Sequence, residues 1–233
     1  MTFRNQLLIV LLAFPVFFTN GQDGFLFTSD VVYKLGFEPV NRKLDYKNID
    51  GSPYLVDNLI EGGVHFTKGK VIKNYLRYNA YADEMEYLEG SKLMVITNPN
   101  QIEVIYLGNF EFHFLYYTLA STEVRTGYLV KVVDGPCKLY KKINVDFVDA
   151  VPARSSYDPP KPATFLKKAD TWFLSFENQP PTQVLLDKNV IDHFFGQDDR
   201  VKQYAKEQKL KAKKPEDLAE IVRYFNSLNG QSH

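Results

Sequence analysis

"LRYNAYADEMEY" (residues 76–87) packs one arginine, three carboxylates and three tyrosines into twelve residues. Its alternation decides how the surrounding chain folds. Leu76 and Tyr78 share one face of an extended segment, and Arg77 and Asn79 share the other. Past the middle, the apolar residues are Met85 and Tyr87 and the polar ones are Glu84 and Glu86. The apolar phase has moved from even to odd positions, so one straight strand cannot bury both halves. A turn over residues 79–82 repairs the phase. It makes a hairpin with Leu76 opposite Met85 on the core side and Arg77 opposite Glu84 on the open side. A bulge in one long strand is the rival repair.

Outward from this stretch the same grammar repeats. Short β-type runs such as "GGVHFT", "KLMVIT", "IEVIYLG", "FEFHFLYY", "RTGYLVKVV", "CKLYKKI", "TWFLSFE" and "TQVLL" are separated by turn formers. The gaps are short, so neighbours should pair antiparallel as a meander. Curling of that meander into a half-barrel is an option the pattern leaves open. The proline-rich segment at residues 152–162 interrupts the series, because proline removes donors and fixes φ. After Leu186 the period becomes helical. "DKNVIDHFFG" runs from a capping Asp187 to Gly196, and "QDDRVKQYAKEQKL" follows as a more polar helix. "PEDLAEIVRYFNSLNG" then places Leu218, Ile221, Val222, Phe225 and Leu228 on one face, with Gly230 past its end. The expected fold is mainly β with C-terminal helices (α+β): an antiparallel β domain over residues 22–186, and about three helices over residues 187–233 packed on its sheet.

The 233 residues are 45% hydrophobic and 15% aromatic, enough for a real core and weighted toward sheet. Lys and Arg total 28, matched by 28 Asp and Glu, so no global field recruits nucleic acid. Residues 1–21 read as a signal peptide: Arg4 precedes an apolar run from Leu7 to Phe18, and Thr19 and Gly21 suit cleavage between Gly21 and Gln22. An N-terminal membrane anchor is the competing reading. No later run is long and apolar enough to span a bilayer as a helix, so a soluble mature chain is expected. The single cysteine, Cys137, has no internal disulfide partner and reads as a small core residue at a strand start.

Chemistry-bearing motifs are sparse. There is no phosphate loop, nucleophile elbow or paired-histidine helix. His65, His113, His193 and His233 share no ligand spacing, so neither a metal nor another cofactor is expected. His113 alternates with Phe112 and Phe114 and so belongs on the face opposite those rings. Glu84 and Glu86 are the candidates for a catalytic acid/base pair, roughly 7 Å apart on one strand face. That reading needs a cleft and one raised pKa, whereas an adjacent Arg77 favours the ionised form. The structural alternative is a cross-strand pair between Arg77 and Glu84.

The run "GSPYLVDNLIEGGVHFTKGKVIKNYLRYNAYADEMEY", with the "CKLYKK" strand, the proline loop and "PEDLAEIVRYFNSL", resembles a set of uncharacterised exported β-rich proteins of Bacteroidota. The resemblance covers most of the mature chain. It implies a Gram-negative cell envelope but brings no activity. Cargo of that phylum's outer-membrane export route usually ends in a β-rich sorting domain, whereas this chain ends in a helix, so the periplasm is expected over the exterior. Three functions fit. The first is a non-catalytic binding or structural protein of the envelope, with a protein partner. The second is a periplasmic carrier of an apolar ligand, resembling lipoprotein carriers. The third is a hydrolase using Glu84 and Glu86.

Overall fold

The computed structural model describes residues 37–40, 46–153, 155, 157 and 159–229. The signal segment, the cut between Gly21 and Gln22, and Gly230 lie outside them. The strands in chain order are β1 (Phe37–Pro39), β2 (Asp50–Gly51), β3 (Ile60–Phe66), β4 (Val71–Asn79), β5 (Glu84–Glu89), β6 (Lys92–Ile96) and β7 (Ile102–Leu107). They continue as β8 (Phe110–Thr118), β9 (Val124–Val133), β10 (Cys137–Lys142), β11 (Val145–Val148), β12 (Thr164–Lys167), β13 (Thr171–Phe176) and β14 (Thr182–Val184). Three helices follow: α1 (Val190–Phe195), α2 (Asp199–Glu207) and α3 (Pro215–Asn229). The fold is mainly β with C-terminal helices, as the periodicity predicts. None of the described helices is long and apolar enough to cross a membrane, which says nothing about crossing by strands.

The large sheet runs in the order β1-β6-β5-β4-β3-β7-β8-β14-β13-β10-β9, and β9 also pairs with β8. That extra ladder closes β8, β9, β10, β13 and β14 into a five-stranded barrel, leaving β7, β3, β4, β5, β6 and β1 as a wing hung from β8. The simple meander is broken where β7 pairs with β3 instead of β6. Five strands enclose too little space for a lumen. The barrel is filled by Tyr117, Leu129, Tyr140 and Phe173, with Leu115 and Leu119 against them.

The wing curls. In the sheet order β4 and β8 are three spacings apart, about 14 Å in a flat sheet. Yet the ring of Tyr78 on β4 lies 4.8 Å from that of Phe112 on β8 and 5.9 Å from that of Tyr128 on β9. Leu76, Tyr78, Met85, Tyr87, Ile105 and Phe112 therefore share one core on the concave side. β8 serves both cores by alternation. Phe112 and Phe114 face the wing core, Leu115 and Tyr117 face the barrel interior, and His113 lies on the side opposite the phenylalanines.

The hairpin read from residues 76–87 is present, but its register differs from the expectation. The turn occupies residues 80–83, and the pairs are Leu76 with Tyr87, Arg77 with Glu86, Tyr78 with Met85 and Asn79 with Glu84. The side chain of Asn79 caps the turn by accepting the Ala82 N–H at 3.0 Å. The Pro53 carbonyl accepts the N–H groups of Ala80 and Tyr81. Asp83 closes the turn at φ 57°, a left-handed conformation that Asp tolerates better than most residues. Together these contacts place the turn one residue later than the phase alone suggests.

The helices cover the outside of the barrel. Leu218, Ile221 and Val222 are buried against Cys137, Leu139, Trp172 and Leu174, while Phe225 and Leu228 are only partly covered. Asn226 pins α3 to the start of β10: its side chain accepts the Cys137 N–H and donates to the Cys137 carbonyl, each at 2.8 Å. An amide side chain thus stands in for a ladder partner. At α1 the cap is Asn189 rather than Asp187, whose carboxylate instead accepts the Asn189 N–H, and Gly196 stays right-handed at φ −63°. The proline segment is pinched at its base by a two-way hydrogen-bonded bridge between Val151 and Lys161. A small sheet, β11-β12-β2, packs Phe147 and Phe165 onto Tyr81 at the hairpin turn.

Candidate functional site

The residues singled out in the sequence sit together, with partners other than those expected. Glu86, not Glu84, meets Arg77. Its carboxylate is wholly buried, accepts from Arg77 Nη2 at 2.8 Å and from Asn79 Nδ2 at 3.2 Å. The Arg77 guanidinium also lies 3.6 Å from the Tyr54 ring centroid and donates to the Asp57 carbonyl. Glu84 faces Asn79 across the hairpin. A general acid must sit neutral beside a cavity that admits substrate. Glu86 instead lies under a guanidinium, and neither carboxylate lines the barrel-mouth groove or the larger grooves beside α1, α2 and α3. The geometry is that of a buried structural ion pair, whose disruption costs more than its presence contributes.

A second polar node joins wing to barrel. Asp83, at the hairpin turn, accepts from the Tyr78 hydroxyl at 2.7 Å, the Tyr128 N–H at 3.2 Å and Lys142 Nζ at 2.7 Å. The carboxylate reaches β9 because residue 127 is glycine: a Cβ there would stand 2.1 Å from Asp83 Oδ2. Burial pushes the phenols of Tyr78 and Tyr128 well above their ordinary range, with the Asp83 charge adding to it. A glycine inside the run "RTGYLVKVV" was the sequence signal for such a close approach.

One open part of the molecule is the barrel mouth near the middle of β8. A groove of about 320 Å³ is lined there by Leu115, Tyr116, Tyr140, Ser175, Pro180 and Pro181. A charged cluster joins β8 to the end of β9. Glu111 accepts from Lys131 Nζ at 2.7 Å and contacts His113 Nε2 at 2.9 Å, and Lys131 also donates to Asp134 at 2.8 Å. Burial alone would depress the Lys131 ammonium, but its bonds to Asp134 and Glu111 outweigh that and raise it. The same bond from Lys131 lowers the Asp134 carboxyl. Burial raises Tyr140 to about 12, with Lys131 opposing. The β13–β14 turn closes the mouth with Glu177 and Asn178 both left-handed, and Lys138 donates to Asn178 at 2.6 Å.

Beside this mouth the wall of the barrel is unzipped. The ladder between β7 and β8 ends at Ile105–Phe112. β7 then bulges at Glu103, where its pairing with β3 skips from His65–Val104 to Phe66–Ile102, and leaves β8. The ladder between β14 and β8 is a single parallel pair, Thr182–Thr118, in which the Thr118 N–H donates to the Pro181 carbonyl. Between Phe112 and Thr118 no strand among the described residues pairs with that side of β8. Proline is the cause: one step back in a parallel ladder, the Tyr116 carbonyl would need the N–H of residue 181, which proline lacks. The "PPT" at residues 180–182 was legible as a ladder stop, but its partner strand was not.

No family model, curated protein or solved structure matches this chain.

Three larger grooves lie elsewhere among the described residues, one of them, of about 380 Å³, between α1 and α2 with Ile191, Lys202 and Ala205. A second, of about 690 Å³, lies between β13 and the start of α3, with Trp172, Lys141, Asp170 and Arg223 along it. The third, of about 450 Å³, lies beside α1 with Leu119, Leu185, His193 and Phe194. All three are open, and all mix polar with apolar walls.

Proposed function

We propose that the chain is a non-catalytic protein of the cell envelope, exported by residues 1–21, that works by binding a polypeptide partner at its surface. One observation carries this: the barrel interior is occupied by Tyr117, Leu129, Tyr140 and Phe173. A carrier of apolar molecules needs that space for cargo, and a hydrolase needs a cleft beside its carboxylates. What remains open among the described residues is surface: the barrel mouth with the unpaired side of β8, and the grooves beside α3 and α1.

The test is native mass spectrometry of the protein taken from its own periplasm. The expected spectrum shows a mature N-terminus at Gln22 and an added polypeptide mass that survives mild desolvation. A lipid-sized adduct would move the assignment to a carrier. A hydrolytic activity that Glu84→Gln or Glu86→Gln abolishes without unfolding would move it to an enzyme.

A further inference from the structure

We infer that the unzipped side of β8 is a strand-addition site: an extended peptide from a partner pairs with Phe114 and Tyr116 and seats one apolar side chain in the barrel mouth. This deepens the binding role proposed above and rests on it.

The orientation of the free groups follows from the pairing on either side. Thr118 points its N–H toward β14. Main-chain groups alternate in direction along a strand, so Tyr116, Phe114 and Phe112 point theirs the same way. Phe112 is paired with Ile105 and Thr118 with Thr182. The N–H and C=O of Phe114 and Tyr116 are left facing the gap without a ladder partner among the described residues. The odd residues between them face β9, where Leu115 pairs with Gly127 and Tyr117 with Arg125. β8 is therefore already a strand held on one side, and it needs no rearrangement to take another on the other.

Open strand edges are normally blocked by lysine, proline or a bulge on the edge strand itself. β8 has none of these at the gap. Its residue there is Tyr116, with 63% of its surface exposed, and Phe114 is half-buried. Pro180 and Pro181 sit across the gap, just before β14, where they hold it open. Two donors and two acceptors alternating along an edge match another peptide main chain better than any other common ligand, and main-chain pairing supplies affinity in strand addition. Specificity would come from the pocket of about 320 Å³, whose walls include Leu115, Tyr140, Pro180 and Pro181. That space suits one bulky apolar side chain on a residue facing the barrel interior. Lys138 is the one charged residue along that pocket, and it already donates to Asn178, so the side chain that fits is uncharged.

Two measurements test this on the full mature chain. In the free protein, amide hydrogen exchange should alternate along β8, with Leu115 and Tyr117 protected and Phe114 and Tyr116 exchanging like loop amides. Protection of Phe114 and Tyr116 in the free protein would overturn the proposal. The second probe is a displayed library of random heptapeptides panned on the protein. Selected peptides should carry alternating apolar residues and should protect Phe114 and Tyr116 when bound. N-methylating the peptide amides that face β8 should weaken binding by about tenfold or more. Pro181→Thr, which offers an N–H to the Tyr116 carbonyl and closes the gap, should weaken the parent peptides by a similar factor. Selected peptides that leave both amides unprotected, or that tolerate N-methylation, would overturn the site. A polypeptide adduct in native mass spectrometry alongside such a failure would refute strand addition alone and leave the binding role standing.

Discussion

Gly127→Ala isolates the contact that fastens the wing to the barrel. Gly127 has an ordinary extended backbone, so alanine is tolerated by the chain and would by itself stabilise by about 0.4–1 kcal/mol through the unfolded state. The new Cβ, however, would lie 2.1 Å from Asp83 Oδ2 and 3.0 Å from Lys142 Nζ. Ordinary contact begins at 3.4 Å, so the carboxylate must retreat by about 1.3 Å or more, far enough to break bonds that now measure 2.7 Å to the Tyr78 hydroxyl and 2.7 Å to Lys142. Each hydrogen bond to a charged group contributes about 1.5–3 kcal/mol. Asp83 is 26% exposed and water can replace part of that. The net expectation is a loss of about 2–3 kcal/mol, or a melting temperature lowered by about 4–12 °C for a chain of this size. Urea unfolding with unchanged slope should report it as a shift in midpoint. The double mutant Asp83→Ala with Gly127→Ala should be no less stable than Asp83→Ala alone, because the clash partner is gone. A Gly127→Ala protein as stable as the parent would mean that Asp83 does not lie over β9, and the wing–barrel joint described here would be wrong.

Two further expectations concern titration. The Cys137 thiol is buried, and burial pushes it up to about 12, so Ellman's reagent at about pH 8 should not react with the native protein and should react once urea unfolds it; reaction in the native state would place the residue at the surface. Alkaline pH should destabilise the fold through its buried phenols. Tyr140 is raised to about 12, and Tyr78 and Tyr128 are raised too, so the folded state favours the protonated form. That contribution is complete below about pH 10, the ordinary value, and is lost as pH climbs through the folded values. For Tyr140 the loss between about pH 10 and 12 is about 2–3 kcal/mol, read from urea midpoints along the pH series; stability that holds constant to about pH 11.5 would contradict the buried placement of these rings.

How much of the site could be read in advance depends on how local each part is. The "FEFHFLYY" run showed which side chains share a face of β8, and His113 lies where that alternation puts it. It could not show that one strand serves two cores, because that depends on where the wing and the barrel sit relative to it. The carboxylates of residues 83–86 were conspicuous as a cluster. Only the fold distributes them: Asp83 to the joint, Glu84 opposite Asn79, Glu86 beneath Arg77. The open side of β8 had a sequence sign in Pro180 and Pro181, yet it takes the pairing of Thr118 with Thr182, across 64 positions of chain, to say which strand they leave bare.

By itself the sequence determined what repeats at short range. Alternation of two set the strands and their buried faces, a phase flip at residues 76–87 set a hairpin, and a 3.6-residue stripe set α3 on the barrel. Contacts within and beyond the turn, not the alternation, decided the hairpin register. Sliding a strand by two residues returns every side chain to the same face, so the hydrophobic pattern is blind to that slip and only the contacts at Asn79, Pro53 and Asp83 resolve it. Tertiary structure alone decided barrel closure and the meeting of Asp83 with Lys142. Both join residues far apart in the chain through one or a few contacts, and no local periodicity carries a record of a contact between strands that are not neighbours in sequence.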